Sequence, residues 1–318
     1  MNKITLEQLV NRLKKLDEIA ILTHKSPDAD TLGSAGALCL ILRALGKHAH
    51  IHVGDKIPPE LMFLVDGLLS DKPPSGTIIT VDVASEKLLS DEFDVVKNRV
   101  DICIDHHKSN TFFAKETYLA ECAANAEIIY DIALKLATTN PEIATRIYAG
   151  IVGDTGGFKF ANTTDKTHEI AADLMRRNIK IADIHRQIFR RTSTGIAAET
   201  EVLQSIKYAC DKKIAAAYIS KKLAESLGGT TSELDGIGDK LRDIEGVFVS
   251  IVVKQDDLGM CKISLRSNGK IDVSAIAAAF GGGGHFNAAG CRLEGDFDKV
   301  FTLLTDYIQA NILDNHEV

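Results

Sequence analysis

Short apolar runs alternating with helical patterns over the first 110 residues restrict this chain more than any other feature. Residues 19–22, 48–53, 77–83 and 100–104 read as strands. Between them, 31–45 carries apolar and small residues at helical spacing, Pro58 and Pro59 open a short helix, and a polar helix is expected after residue 83. Strand–helix alternation of this kind gives a parallel sheet with helices on both faces, an α/β architecture.

The residues at the strand ends are equally informative. The first strand leads into His24, Asp28 and Asp30, with Pro27 fixing the turn and Gly33 and Ser34 allowing a close helix start. The third ends at Asp82 and the fourth at Asp105, His106 and His107. Carboxyl ends of parallel strands are neighbours, and the crevice there is where open α/β sheets bind ligands. Taken singly, Asp28 and Asp30 could be solvated or cap the next helix. Recurrence at three of the four strand ends weighs against that reading. Asp154 adds to the set, standing among glycines 150, 153, 156 and 157 where backbone must approach something closely.

So many carboxylates cannot all stay ionised together without cations or raised pKa values. Two divalent ions, roughly 3.5–4 Å apart and sharing a carboxylate, solve the problem and can clamp a phosphoryl group for in-line attack. Water acidified to a pKa near 7 is then a sufficient nucleophile, so hydroxide attack needs no Ser or Cys. The sequence carries no nucleophile-elbow motif. Oxygen-rich ligation with a minority of imidazole and no thiolate favours Mn²⁺ over structural zinc.

Composition limits the setting. At 318 residues and 45% hydrophobic, the chain is long enough for two globular domains. No apolar run approaches the ~20 residues of a membrane span, and residues 1–15 form an amphipathic helix pattern, not a signal peptide. Cytoplasmic residence is expected. The six cysteines form no CxxC pair and read as reduced thiols. A net charge of −7 argues against a general nucleic-acid coat binder. It leaves room for an enzyme acting on short phosphorylated molecules, because bound cations change the sign of the local field.

The second half reads differently. Helices are expected at 125–137, 141–152, 164–177 and 181–191, and residues 192–205 look like a linker. A hairpin is expected around 211–213, then a helix at 220–227, a polar loop at 228–234 and a helix at about 235–244. Strands at 247–254 and 260–266 are joined by 255–259, and a helix at 274–280 leads into the glycine-rich 281–290. A strand at 291–293 and a helix at 297–313 close the chain. The division is thus 1–191, a linker 192–205, and a smaller mixed α/β domain 206–318, with the active site expected in the cleft between them.

His24-x-x-x-Asp28-x-Asp30, Val81-Asp82, Asp105-His106-His107 and Gly153-Asp154-Thr155-Gly156 resemble the four metal motifs of the DHH phosphoesterase superfamily. Ser264-Leu265-Arg266-Ser267 and Gly281-Gly282-Gly283-Gly284-His285-x-x-Ala288-Ala289-Gly290 resemble its C-terminal DHHA1 domain. The motifs fall in the right order over nearly the whole chain. The best resemblance is to the small stand-alone group of bifunctional oligoribonucleases and 3′-phosphoadenosine-5′-phosphate (pAp) phosphatases. Longer exonucleases of the superfamily add an OB-fold, the cyclic-dinucleotide enzymes add membrane spans, and the manganese pyrophosphatases have another second domain.

The resemblance implies roles. His24, Asp28 and Asp82 would hold one Mn²⁺, and Asp30, Asp82, His106 and Asp154 a second, with Mg²⁺ or Co²⁺ as substitutes. His107 would face the scissile phosphate, and Asp105 would orient a histidine ring. Arg266 suits a phosphate, and Gly282, Gly283, Gly284 and His285 would receive the substrate's far end. The substrates implied are short RNA or DNA oligonucleotides and dinucleotides, cut to nucleoside monophosphates, and pAp, which would lose its 3′-phosphate to give AMP. A homodimer is suggested. Hydrolysis of linear or cyclic dinucleotides, pyrophosphate or polyphosphate is the alternative activity, and a non-catalytic nucleotide-binding module the alternative class. Val83 stands where many relatives carry Thr. Lys108 and Asn110 read as an exposed loop or a substrate contact, and Arg190 and Arg191 as a solvated helix end or a cleft lining.

Overall fold

In the computed structural model, which describes residues 3–227, 234, 236–255 and 260–313, the apolar runs form strands close to where their pattern places them. The chain divides into a first unit ending at Arg190 and a second beginning at Arg191. In the first, the order is α1 (Leu6–Lys15), β1 (Glu18–Leu22), α2 (Ala29–Ala44), β2 (His48–His52) and β3 (Thr77–Val81). It continues with α3 (Asp94–Lys97), β4 (Ile102–Asp105), β5 (Glu116–Leu119), α4 (Asn125–Lys135), α5 (Pro141–Asp154), α6 (Asp165–Met175) and α7 (Ile181–Ile188). The five strands are all parallel, in the order β2-β1-β3-β4-β5. The order reverses between β1 and β3, which makes their carboxyl ends the crevice of the sheet.

Alternation along each strand builds two cores. Ile19, Ile21, Ile79, Val81, Ile102 and Ile104 join the core containing Leu38 and Ile41 of α2, Ile129 of α4 and Ile147 of α5. Each fully buried aliphatic side chain there contributes about 1.5–3 kcal/mol. Ala20, Leu22 and Ile78 face the other way, against Leu89, Phe93 and Val96. The segment expected to be one polar helix on that face is instead two 3-10 turns, Glu86–Leu88 and Asp91–Phe93, followed by the four-residue α3. Tertiary hydrogen bonds interrupt it: Lys25 N–H donates to the Leu88 carbonyl at 2.7 Å, and Ser90 Oγ to the Gly54 carbonyl at 3.0 Å.

The fifth strand was not legible. β5 is four residues long at the sheet edge, and only Thr117 in it is buried. An edge strand of that length carries almost no hydrophobic pattern.

In the second unit the elements are α8 (Ser193–Gln204), β6 (Lys207–Ala209), β7 (Ile214–Ile219), α9 (Lys221–Ser226), α10 (Ile237–Arg242) and β8 (Val249–Gln255). They continue with β9 (Met260–Ser267), α11 (Val273–Ala279), β10 (Gly283–His285), β11 (Ala288–Glu294) and α12 (Phe297–Ile308). The six-stranded mixed sheet runs β10-β11-β9-β8-β7-β6, with only the β7–β8 pair parallel. The stretch read as a linker is helix α8. Thr192 caps it, its hydroxyl accepting from Gly195 N–H at 2.9 Å, and Ala198 and Val202 bury against Ala215 and Ala217. The expected loop at 228–234 lies outside the described residues except for Leu234, as do 256–259 of the expected β8–β9 connection and residue 235 of the expected helix start. The glycine-rich 281–290 stretch, to which the sequence pattern assigns no element, is largely a hairpin of β10 and β11, and β11 begins at Ala288, ahead of the strand expected from 291.

None of the six cysteines is in a disulfide. Among the described residues no helix is long and apolar enough to cross a membrane.

Candidate metal centre

The site begins with two histidines whose rings are fixed from behind. His24 Nδ1 donates to the Lys25 carbonyl at 2.8 Å, and His106 Nδ1 to the Cys122 carbonyl at 3.1 Å. A carbonyl can only accept, so the neutral ring in each case keeps a bare Nε2. His24 Nε2 faces Asp28 Oδ1 at 3.6 Å and Asp82 Oδ2 at 3.5 Å. His106 Nε2 faces Asp82 Oδ1 at 3.4 Å, Asp154 Oδ2 at 3.5 Å and Asp30 Oδ2 at 3.9 Å. Asp82 therefore offers one oxygen to each group.

Each carboxylate is placed by local backbone. Asp28 is the N-cap of α2, Oδ1 accepting from Asp30 and Thr31 N–H at 3.0 Å, so the capping and metal-site readings coexist in one side chain. Asp30, fully buried in the first turn of α2, accepts from Asn125 N–H at 2.6 Å and Ala126 N–H at 2.9 Å at the start of α4. A helix N-terminus stabilises that charge. Asp82 leaves β3 with φ +60°, a strained conformation that its own N–H helps hold by donating to Ile104 O at 2.9 Å. Asp154 occupies the last turn of α5, not a glycine turn. Gly150 lies inside that helix because a Cβ there would sit 2.7 Å from the Ala126 Cβ and 2.9 Å from Asp30 Oδ1.

The electrostatics show how far the acids crowd one another. Burial, then the charges of Asp82 and Asp154, pushes Asp30 well above the carboxylate range. Asp154 is raised to about 7 by burial, with Asp82 and Asp28 adding to it. Burial also works against an ionised Asp82, but His106 and His24 outweigh it and hold its pKa low. Both histidines are raised despite burial, His24 to about 11, by the carboxylates they face. Buried Asp82 Oδ1 and His106 Nε2 have no hydrogen-bond partner. Orphaned polar atoms in a crowded acidic site, all offering oxygen or imidazole nitrogen, fit a divalent cation of the Mn²⁺ or Mg²⁺ type. Three triplets bring potential ligand atoms within 4.8 Å of one another: His24, Asp28 and Asp82; Asp30, His106 and Asp154; and Asp82, His106 and His107. The nearby Cys122 thiol donates to the Ala124 carbonyl at 3.1 Å and is pushed up by burial, which suits a neutral group.

His107 is held otherwise. Its Nδ1 lies 2.8 Å from Asp105 Oδ1 and 3.5 Å from Asp82 Oδ1, and its ring is partly exposed. Asp105 is fully buried, its Oδ2 accepting from Asn110 Nδ2 at 2.6 Å. Asn110 Oδ1 in turn accepts from Phe112 N–H at 2.7 Å. Asn110 is buried against Asp105 rather than solvated. Its bond to Asp105 spans five residues, but its bond to the Val83 carbonyl at 3.4 Å depends on β3 and β4 lying side by side. Lys108 is exposed and pairs with Glu121, and Arg191 pairs with Glu199.

The substrate residues expected in the second unit sit on its sheet. Arg266 lies on β9, Nη1 donating to the Leu265 carbonyl at 3.1 Å and Nε 3.8 Å from Asp239 Oδ1. Gly283, Gly284 and His285 form β10, an exposed edge strand whose outer edge is left unpaired in the strand order, with Gly282 just before it. A Cβ at Gly282 would meet the Gly290 carbonyl at 2.2 Å, so this glycine lets the hairpin close.

Residues 18–151 match the DHH family, N-terminal domain, and residues 211–310 match the DHHA1 domain. The bifunctional oligoribonuclease and PAP phosphatase NrnA of Thermus thermophilus is 32% identical over 303 residues, covering 92% of this chain and 90% of that protein. The protein of the same name from Bacillus subtilis is 27% identical over 94% of this chain and 96% of its own. Among solved structures, an exopolyphosphatase-related protein from Bacteroides fragilis has a TM-score of 0.84 at 26% identity, covering 96% of both chains.

Proposed function

This chain belongs to the DHH family of phosphoesterases, with a DHHA1 domain, and from that premise we propose that it hydrolyses short oligonucleotides and dinucleotides to nucleoside monophosphates and removes the 3′-phosphate of pAp. The observation that carries the reading is the division of Asp82, one oxygen toward His24 and Asp28, the other toward His106 with Asp30 and Asp154 beside it. Those two sets would hold two divalent cations, Mn²⁺ in first place. When bound, such a pair supplies Lewis acidity and neutralises phosphoryl charge.

The residues themselves do the rest. His107, with Nδ1 engaged by Asp105, presents Nε2 as a donor to a phosphate oxygen and stabilises charge gained there. Asn110 holds Asp105 and so sets the ring. Arg266 and the Gly282–His285 stretch are assigned a second phosphate of the substrate, through the guanidinium fork and edge-strand N–H groups. A second phosphate contact favours pAp and short oligonucleotides over long chains. In every case water adds to phosphorus and the bond to the leaving oxygen breaks.

The test is turnover with Mn²⁺ of pAp, a dinucleotide, a short RNA, a long RNA and pyrophosphate, beside Asp82→Ala. Hydrolysis of pAp and the short RNAs, abolished in the variant, is expected. Preference for pyrophosphate, or equal rates on long and short RNA, would overturn the substrate assignment.

A further inference from the structure

Starting two residues after Asp154, three successive residues pass through left-handed backbone: Gly156 (φ 56°), Gly157 (φ 72°) and Phe158 (φ 68°). Glycine adopts this freely, but for phenylalanine it is strained, and strain of this kind persists only where surroundings over-determine it. Here they do. The Phe158 ring turns inward, stacking on His168 at 5.4 Å and packing on Tyr148 at 6.0 Å. Phe158 N–H donates to Thr155 Oγ1 at 3.1 Å, and Phe160 N–H to the Thr155 carbonyl at 3.0 Å. Asn162 then ties the far end of the loop to the metal centre. Its Nδ2 donates to the Asp154 carbonyl at 3.0 Å and to the Ala123 carbonyl at 2.9 Å, one residue beyond the carbonyl that orients His106.

With Phe158 turned in, Phe160 and Phe189 are left out, 40% and 45% exposed. Each rests against one of the two glycines. The Phe160 ring tip lies 2.5 Å from where a Gly156 Cβ would stand, and Phe189 Cζ lies 3.3 Å from that of Gly157. Phe189 is backed by His185 at 5.8 Å, which tilts against Tyr148 at 5.9 Å. Single exposed apolar residues need no explanation. Two exposed phenyl rings, one from the strained loop and one from the end of α7, are thus seated on consecutive glycines of a loop tied to the backbone carbonyl of Asp154. Gly156 is two residues from Asp154, so the first ring stands on backbone at most about 7 Å from the Asp154 Cα.

We propose that Phe160 and Phe189 are a stacking platform for the nucleobase of the nucleotide whose phosphate occupies the metal centre. The inference rests on the nucleotide-hydrolase reading and deepens it: the platform selects a flat aromatic base without reading its identity, since every base has a π-face. Pyrophosphate and polyphosphate, which lack a base, gain nothing from it.

Two readouts test it. KM and kcat are measured on a dinucleotide and on the same phosphodiester with the base deleted, for wild type, Phe160→Leu, Phe189→Leu and Phe160→Tyr. The fluorescence of 2-aminopurine riboside 5′-monophosphate, which stacking quenches, is followed on binding. Each Leu variant is expected to raise KM for the dinucleotide about tenfold with kcat nearly kept, to narrow the KM gap between the two substrates, and to lose the quench. Phe160→Tyr, which keeps the ring, is expected to restore both. Equal losses on the two substrates, or an unchanged KM gap with the quench intact, would overturn the platform. The two proposals fail separately. A wild type that quenches 2-aminopurine through these rings but hydrolyses no nucleotide supports the platform and overturns the hydrolase reading, whereas one that hydrolyses dinucleotides without quenching does the reverse.

Discussion

The strand-end cluster and the Gly282–His285 hairpin carry the same kind of motif, a few functional residue types packed into a short stretch, yet they are built in opposite ways. In the cluster Asp30, Asp82 and Asp105 are almost fully buried, and each histidine has its Nδ1 spoken for by a carbonyl or carboxylate. In the hairpin the residues are exposed, and among the described strands β10 has a neighbour on one side only. Chemistry needs atoms held to fractions of an ångström, and burial with fixed hydrogen bonds provides that. The phosphate recognition proposed for the hairpin would tolerate more play, and an edge strand would suffice for it.

That contrast can be broken by mutation. The largest effect is expected for Asp82→Asn, which removes a charge shared by both ligand sets. Loss of an outer partner typically costs about 10–100-fold, so kcat on a dinucleotide should fall by more than roughly a hundredfold here. Asn also tolerates left-handed backbone, so the circular dichroism spectrum should be unchanged.

Asn110→Ala comes next. It strips a hydrogen bond from buried Asp105 and loosens His107, for an expected kcat loss of about 10–100-fold and a destabilisation of about 1–3 kcal/mol in denaturant titration. Wild-type kcat in this variant would show that His107 needs no orienting partner.

In the hairpin region, Arg266→Gln should raise KM for pAp roughly tenfold and spare kcat. A fall in kcat equal to that of Asn110→Ala would erase the distinction between the two regions. Smallest is Thr5→Ala, which breaks the capping box of α1 far from either region. It should cost about 1 kcal/mol of stability with no change in turnover.

How much of this could be read from the chain divides along the same line. Strand periodicity and the acids at strand ends are local patterns, so the parallel sheet and the placing of His24, Asp28, Asp82 and His106 were legible. Asp154 was found, but its helix was ended too early, because Gly150 and Gly153 signal a turn unless one knows that α2 and α4 press against them. Residues 192–205 begin Thr-Ser-Thr-Gly and read as a linker. The cap at Thr192 and the good helix formers after it, Ala, Glu and Leu, were the signal that could have found α8. β5 and the 3-10 turns before α3 owe their form to partners distant in sequence, and no window of the chain contains those partners; Asn110 bonds Asp105 and Phe112 nearby, but its burial depends on Val83, 27 residues away. The outward rings of Phe160 and Phe189 belong with them, since which of Phe158, Phe160 and Phe189 turns inward is set by packing against His168 and Tyr148, residues distant from some of them in sequence.

The most direct test of the central claim, two cation sites sharing Asp82, is calorimetric titration of Mn²⁺ into the metal-stripped full-length chain and its Asp82→Asn variant. The account predicts two ions per chain for the wild type and weakened binding at both sites in the variant. One ion per chain, or two bound as tightly without the Asp82 charge as with it, would contradict it.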